Sequence, residues 1–266
     1  MRIYILTDLE GVGGVVHTHQ VFAGEGGYEK AREWLTLEVN AAIQGAIDGG
    51  ATDVLVLDGH GANHACNLVW DRLHEGARCI MGGPWKEYLQ SLDSSFDGMF
   101  QIGAHAMAGT LGAVLEHTQS SLSWVEMLLN GTPIGEIGTC AACAGDVGVP
   151  FVMVSGDDKA CAESAELVPG IECAVVKEGI GRHCAILQPM PKVHALIREK
   201  ARLGMGKLKT IPPVKFGPPV EIQVEYLRTD AVDGIREREG VRKVGPRKVL
   251  YTAKNTMQAF RRLLGG

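Results

Sequence analysis

Hydrophobic positions along this chain fall into two rhythms that take turns. Short continuous apolar runs, rich in β-formers, lie at 3–6 and within 53–58, 98–103 and 150–155, and they read as buried strands. Between the first two, from Glu25 to Ile47, the residues Tyr28, Ala31, Trp34, Leu35, Val39, Ala42, Ile43, Ala46 and Ile47 keep helical spacing up to a Gly49-Gly50 stop. Further helices are predicted over Pro84–Leu92, from Gly135-Glu136 to about Gly145, from Asp158 to Leu167 and over Met190–Leu203. Shorter strands are predicted over Cys79–Met81 and Glu172–Val176. Asn130-Gly131, which follows Ser121–Leu129, predicts a hairpin closed by a type I′ turn.

Strand, helix, strand is a βαβ unit, with parallel strands and a right-handed crossover. Its repetition predicts an α/β fold: an open, mostly parallel sheet with helices on both faces. The proline-rich stretch Pro212–Pro219 breaks the alternation. Beyond it, Val220–Tyr226 alternates as a half-exposed strand should, and a strand near Val249–Thr252 and a helix over Asn255–Leu264 follow. The expected division is an α/β domain over residues 1–211, carrying the chemistry, and a smaller C-terminal α+β segment over 212–266.

Composition narrows the function classes. A net charge of -5 leaves no basic excess to replace phosphate counterions, so a nucleic-acid partner is not expected. The basic cluster Arg236, Arg238, Arg242, Lys243, Arg247 and Lys248 reads as a solvated or subunit-facing surface. No apolar run reaches the roughly 18 residues that span a bilayer, and the first residues read as a strand, not a signal peptide, so no membrane is expected. Seven cysteines, an odd number scattered among small apolar residues, suit a reducing cytoplasm. The pair Cys140 and Cys143 reads as helix packing.

Candidate chemistry sits where strands end. The first strand stops on Asp8-Leu9-Glu10-Gly11, and two carboxylates on one side of an extended chain repel unless a cation lies between them. The second ends on Asp58-Gly59-His60, and the third runs into His105. Parallel strands bring these ends to one edge of the sheet, where α/β proteins bind ligands. Glu136, at a helix start, completes three carboxylates and two imidazoles, a set suited to one or two divalent ions such as zinc. His117 follows the glycine-containing loop 109–112, and an imidazole there suits proton transfer. Asp58 is either an acceptor for a metal-bound imidazole or a strand-end cap. His17 and His19 are expected to line the entrance, and His64 a pocket wall. Two other readings stay open: a metal-dependent phosphohydrolase, which wants Asp at position 10 and magnesium, and a non-catalytic metal-binding assembly protein.

Asp8-Leu-Glu-Gly11, Asp58-Gly-His60, Gly103-Ala-His105, His117-Thr118, Asn130-Gly131 with Gly135-Glu136, and Ser155-Gly-Asp-Asp158 together resemble the zinc-dependent D-aminopeptidases of the DppA type, peptidase family M55. The likeness runs through nearly the whole chain. It implies hydrolysis of N-terminal residues, of D configuration, from short peptides or amino-acid amides. It also implies two zinc ions per chain, with Asp8 bridging them, Glu10 and His105 completing one and His60 and Glu136 the other. His117 matches the catalytic residue, described as the nucleophile. By the same resemblance the chain is a homo-oligomer, a decameric ring that encloses its active sites. The loop between His105 and His117 is one residue longer than the family pattern.

Overall fold

In chain order the elements are β1 (Arg2–Thr7), α1 (Tyr28–Asp48), β2 (Asp53–Asp58), β3 (Ala77–Ile80), β4 (Gly98–Ala104), β5 (Trp124–Leu129), β6 (Thr132–Pro133), α2 (Glu136–Asp146) and β7 (Phe151–Asp157). Then follow α3 (Asp158–Leu167), β8 (Glu172–Gly181), β9 (Cys184–Leu187), α4 (Met190–Met205), β10 (Val220–Tyr226), the single turn α5 (Asp230–Asp233), β11 (Val241–Gly245), β12 (Lys248–Ala253) and α6 (Thr256–Leu263). The structure is a computed structural model describing residues 1–61 and 66–265.

Seven strands form the main sheet in the order β3-β2-β1-β4-β7-β8-β9, parallel except for β9. The chain leaves β1 towards β2 and β3, and leaves β4 in the opposite direction towards β7 and β8. The switch point of the topology therefore lies between β1 and β4, where open sheets bind ligands at their C-terminal edge. Helices α1 and α4 pack on each other over one face, and α2 and α3 cover the other. Cover on both faces explains why β1, β2, β4 and β7 read as unbroken apolar runs, each buried after its first residue at most.

The smaller sheet is antiparallel, in the order β11-β12-β10-β5-β6. It draws β5 and β6 from the middle of the chain as well as strands from the segment after 212. The hairpin turn is of the predicted kind, with Asn130 and Gly131 at φ +48° and +81°. Helix α2 lies between the main sheet and α6, buried from Ile137 through Gly145. That position accounts for its apolar composition all round, Cys140 and Cys143 included.

One predicted element does not form. Residues 84–92 make turns, with Ser91 at φ +67°. A helix that short has no stability of its own. Tertiary contacts claim its side chains instead: Leu89 is buried and Tyr88 packs on Phe260 of α6, ring centroids 4.2 Å apart. Two short strands, β9 and β11, went unpredicted because both are edge strands with mostly exposed side chains.

Candidate metal centre

Backbone packing at the switch point brings the strand-end residues together. Past the end of β1, Asp8 N–H donates to Ile102 O and Gly11 N–H to Gly103 O, both at 2.8 Å. The two chains lie closer there than side chains permit. A Cβ on Gly11 would sit 2.0 Å from Ala104 O, and one on Gly103, at φ +78°, would sit 2.1 Å from Asp8 O. Glycine at both positions lets Asp8, Glu10 and His105 share one edge. On the other side Gly59 passes Thr7 O equally closely, a Cβ falling 2.4 Å away, and delivers His60.

Two clusters result. His60 Nδ1 lies 3.1 Å from Asp8 Oδ1 and 3.1 Å from Glu10 Oε2. His105 Nε2 lies 3.3 Å from Asp8 Oδ2 and 3.3 Å from Glu136 Oε1, and His117 Nε2 lies 3.7 Å from the same Glu136 oxygen. Asp8, Glu10 and His60 thus form one candidate ligand group, and His105, His117 and Glu136 a second. Asp8 turns one oxygen to each. This pairing differs from the division that the family resemblance implies: Glu10 sits with His60, and His105 with Glu136.

Each imidazole is oriented by a backbone carbonyl. Val21 O accepts from His60 Nε2 at 2.8 Å, Ala106 O from His105 Nδ1 at 3.0 Å, and Leu115 O from His117 Nδ1 at 2.9 Å. With the proton assigned to those nitrogens, the opposite nitrogens present lone pairs to the carboxylates. Lone pair against carboxylate is repulsive unless a cation or a second proton intervenes. Glu10 Oε2 and His105 Nε2 are moreover buried without a hydrogen-bond partner. Burial opposes charge on His60, but Glu10 and Asp8 outweigh it and hold its pKa well above the usual value. For His105 burial likewise loses, to Glu136 and Asp8. Burial would raise the carboxyls, yet His105 and His60 hold Asp8, and His105 and His117 hold Glu136, below their ordinary range. The cluster demands positive charge, and a divalent ion on mixed imidazole and carboxylate ligands supplies it. The imidazoles argue against magnesium, which takes oxygen ligands, and so against the phosphohydrolase reading.

Other expectations resolve differently. Asp58 is a cap: it accepts from Asn67 N and Nδ2 and from Leu68 N, while the two ring nitrogens of His60 bond instead to Asp8 and Val21 O. Asn67 then donates to His60 O, fixing that residue through its backbone. His17 and His19 are exposed and bond to each other, Nδ1 to Nδ1 at 2.8 Å, while Val21, Phe22 and Ala23 of the same loop line the cavity. His64 lies outside the described residues. Gln119, which the sequence did not single out, donates its N–H to Glu136 Oε1 at 2.7 Å from a left-handed backbone, φ +61°. Its only signal was its place two residues after His117.

Asp8, Glu10, His60, His117 and Glu136 open onto one cavity of about 480 Å³, whose other walls include Phe22, Tyr28, Trp85, Tyr88 and Leu122. Among the described residues no helix is long and apolar enough to cross a membrane. A family profile for M55 peptidases, described as D-aminopeptidase, matches residues 1–264. The D-aminopeptidase of Bacillus subtilis strain 168 is 31% identical over 267 residues, spanning 99% of this chain and 96% of that protein. Among solved structures, the Zn-dependent D-aminopeptidase DppA from Bacillus subtilis, a self-compartmentalizing protease, superposes with a TM-score of 0.94 at 30% identity, covering 100% of this chain and 96% of the other.

Proposed function

The chain belongs to the M55 family of D-aminopeptidases, hydrolases of peptide bonds, and from that premise we propose that it removes N-terminal D residues from short peptides or amino-acid amides with two zinc ions per chain. The observation that carries this reading is Asp8, whose two carboxylate oxygens each face a separate group of imidazole and carboxylate donors. Glu10 and His60, with one Asp8 oxygen, would hold one ion, and His105 and Glu136, with the other Asp8 oxygen, would hold the second. Zinc held there supplies a Lewis acid for the substrate amine and scissile carbonyl, and acidifies water towards neutrality.

The remaining work falls to the chain itself. His117 donates Nδ1–H to Leu115 O, so Nε2 is its working atom. His117 lines the cavity, where this nitrogen would take a proton from the attacking group and return one to the leaving amine. Direct attack, the role the family resemblance gives it, would use the same atom. Gln119 N–H holds Glu136 in place from behind. Phe22, Trp85, Tyr88 and Leu122 offer apolar surface to the substrate side chain and limit water near the reacting atoms. A homo-oligomer, the decameric ring of the family resemblance, would enclose these cavities, and seven unpaired thiols favour a reducing cytoplasm for it.

Metal analysis together with a panel of D- and L-aminoacyl amides tests the proposal. It expects two zinc ions per chain and faster hydrolysis of the D series. One magnesium per chain, or hydrolysis of L substrates alone, would refute it.

A further inference from the structure

Behind the first ligand group lies a buried cation that the proposed chemistry does not use. Lys177, on β8, is 0% exposed. Its Nζ donates to Glu10 O at 2.6 Å, Val12 O at 2.9 Å and Val15 O at 2.5 Å. An ammonium has three donors, and here all three go to carbonyls of one glycine-rich loop. A fully desolvated ammonium is costly, so it persists where the groups it ties need tying. From the opposite side, buried Glu38 of α1 accepts from Gly13 N at 2.8 Å. A Cβ on Gly14 would sit 2.6 Å from the ring of Trp34, so the loop also presses against α1.

The Glu10–Gly11 peptide is therefore held at both ends: its carbonyl by Lys177, its N–H by Gly103 O. That peptide sets the direction of the Glu10 side chain, whose Oε2 faces His60 Nδ1.

We propose that Lys177 is a positioning residue for the metal centre: its ammonium takes the place of a structural cation, knotting residues 10–15 so that Glu10 is aimed at the ion shared with His60 and Asp8. Glu38 is its counterpart on the other side of the loop. The inference rests on the reading of Asp8, Glu10 and His60 as zinc ligands.

The test uses the full chain, with zinc as the probe. Affinity and stoichiometry come from competition with a chromophoric chelator, and folding from far-ultraviolet circular dichroism. In Lys177→Met one zinc equivalent should weaken about ten- to hundredfold, the effect expected when a group supporting a ligand is lost, while the other equivalent stays near wild type. Glu10→Gln should weaken the same equivalent, and adding Lys177→Met to it should cost nothing further, because both act through one ligand. Wild-type zinc affinity in Lys177→Met overturns the positioning role, however much stability the variant has lost. Should that variant fail to fold, Glu38→Met decides: loss confined to the Glu10-dependent equivalent supports the proposal, and unchanged affinity overturns it. A wild-type chain that binds no zinc strikes down the metal reading and this inference with it. One that does bind zinc leaves that reading standing whatever the variants do.

Discussion

Substituting Gly103 by alanine should damage the metal centre without touching any ligand. Gly103 sits at φ +78°, where an L side chain costs about 1–2 kcal/mol. The new Cβ would also fall 2.1 Å from Asp8 O, a backbone atom that cannot rotate away. Overpacking of that kind typically costs about 1–3 kcal/mol, so the total loss is about 2–5 kcal/mol. For a chain of this size, at about 2.1 cal/mol/K of unfolding entropy per residue, that lowers the melting temperature by roughly 4–9 °C. The strain is relieved by moving the end of β1 away from β4, which carries Asp8 from the point where it faces both clusters. Zinc affinity and kcat/KM should therefore fall together with stability. Gly170→Ala provides the control, because its φ of +89° carries the same dihedral cost while a Cβ there meets open space. Thermal unfolding of the metal-free proteins and zinc titration separate the two contributions. Wild-type stability and zinc affinity in Gly103→Ala would show that the close approach does not hold the site together.

His117→Ala should keep its zinc and lose about 10²–10⁴ in kcat, the usual contribution of a positioned proton-transfer group. Undiminished turnover of a D-aminoacyl amide would remove it from the chemistry. Glu136→Gln should lose the zinc equivalent held with His105, read by metal analysis of the desalted protein, and retention of both equivalents counts against that assignment. Burial pushes the Glu38 carboxyl up to about 7 from 4.5, against the pull of Gly13 N–H and Lys177. A carboxyl raised in the folded state favours folding when protonated, so its stabilisation is present below about pH 4.5 and is lost as pH rises to about 7. Relative to Glu38→Gln, which cannot titrate, the metal-free wild type should lose about 2–3 kcal/mol across that window in urea denaturation. Parallel profiles for the two proteins would show that Glu38 stays ionised throughout.

That the strand-end residues would meet in one place was legible because a parallel sheet sends all its C-terminal ends to one edge. Thr7 pairs with Asp58 on one side and with Ile102 on the other, so three sequence-distant ends become neighbours by topology alone. Which carboxylate meets which imidazole was not legible. That choice depends on ångström-scale turns at Gly59, Gly103 and Gly11, which residue type suggests and only coordinates define. Lys177 was invisible for another reason: its partners lie more than 160 positions away and are carbonyls, which every residue possesses. The second sheet was half legible. Val220–Tyr226 alternated clearly, but its pairing with Trp124–Leu129 joins segments about a hundred residues apart, and no periodicity encodes such a partner. The expected helix over 84–92 failed where local spacing competed with contacts to Phe260 and the cavity.

Asp8, Glu10 and Glu136 crowd three carboxylates into one largely buried place, an arrangement that local electrostatics opposes. What keeps it assembled is backbone. Val21, Ala106 and Leu115 carbonyls fix the three rings, and Gly103 and Ile102 carbonyls fix the chain that bears Asp8 and Glu10. None of those bonds involves an ion. The candidate ligands are therefore fixed by the fold itself, so that a metal bound there would not have to order loops as well as neutralise charge. The conflict between charge and packing is concentrated at the switch point, where the sheet is best able to absorb it, because the strands there are buried on both faces and paired on both edges. A site built on this principle should lose metal affinity through changes to its backbone supports almost as readily as through changes to the ligands themselves.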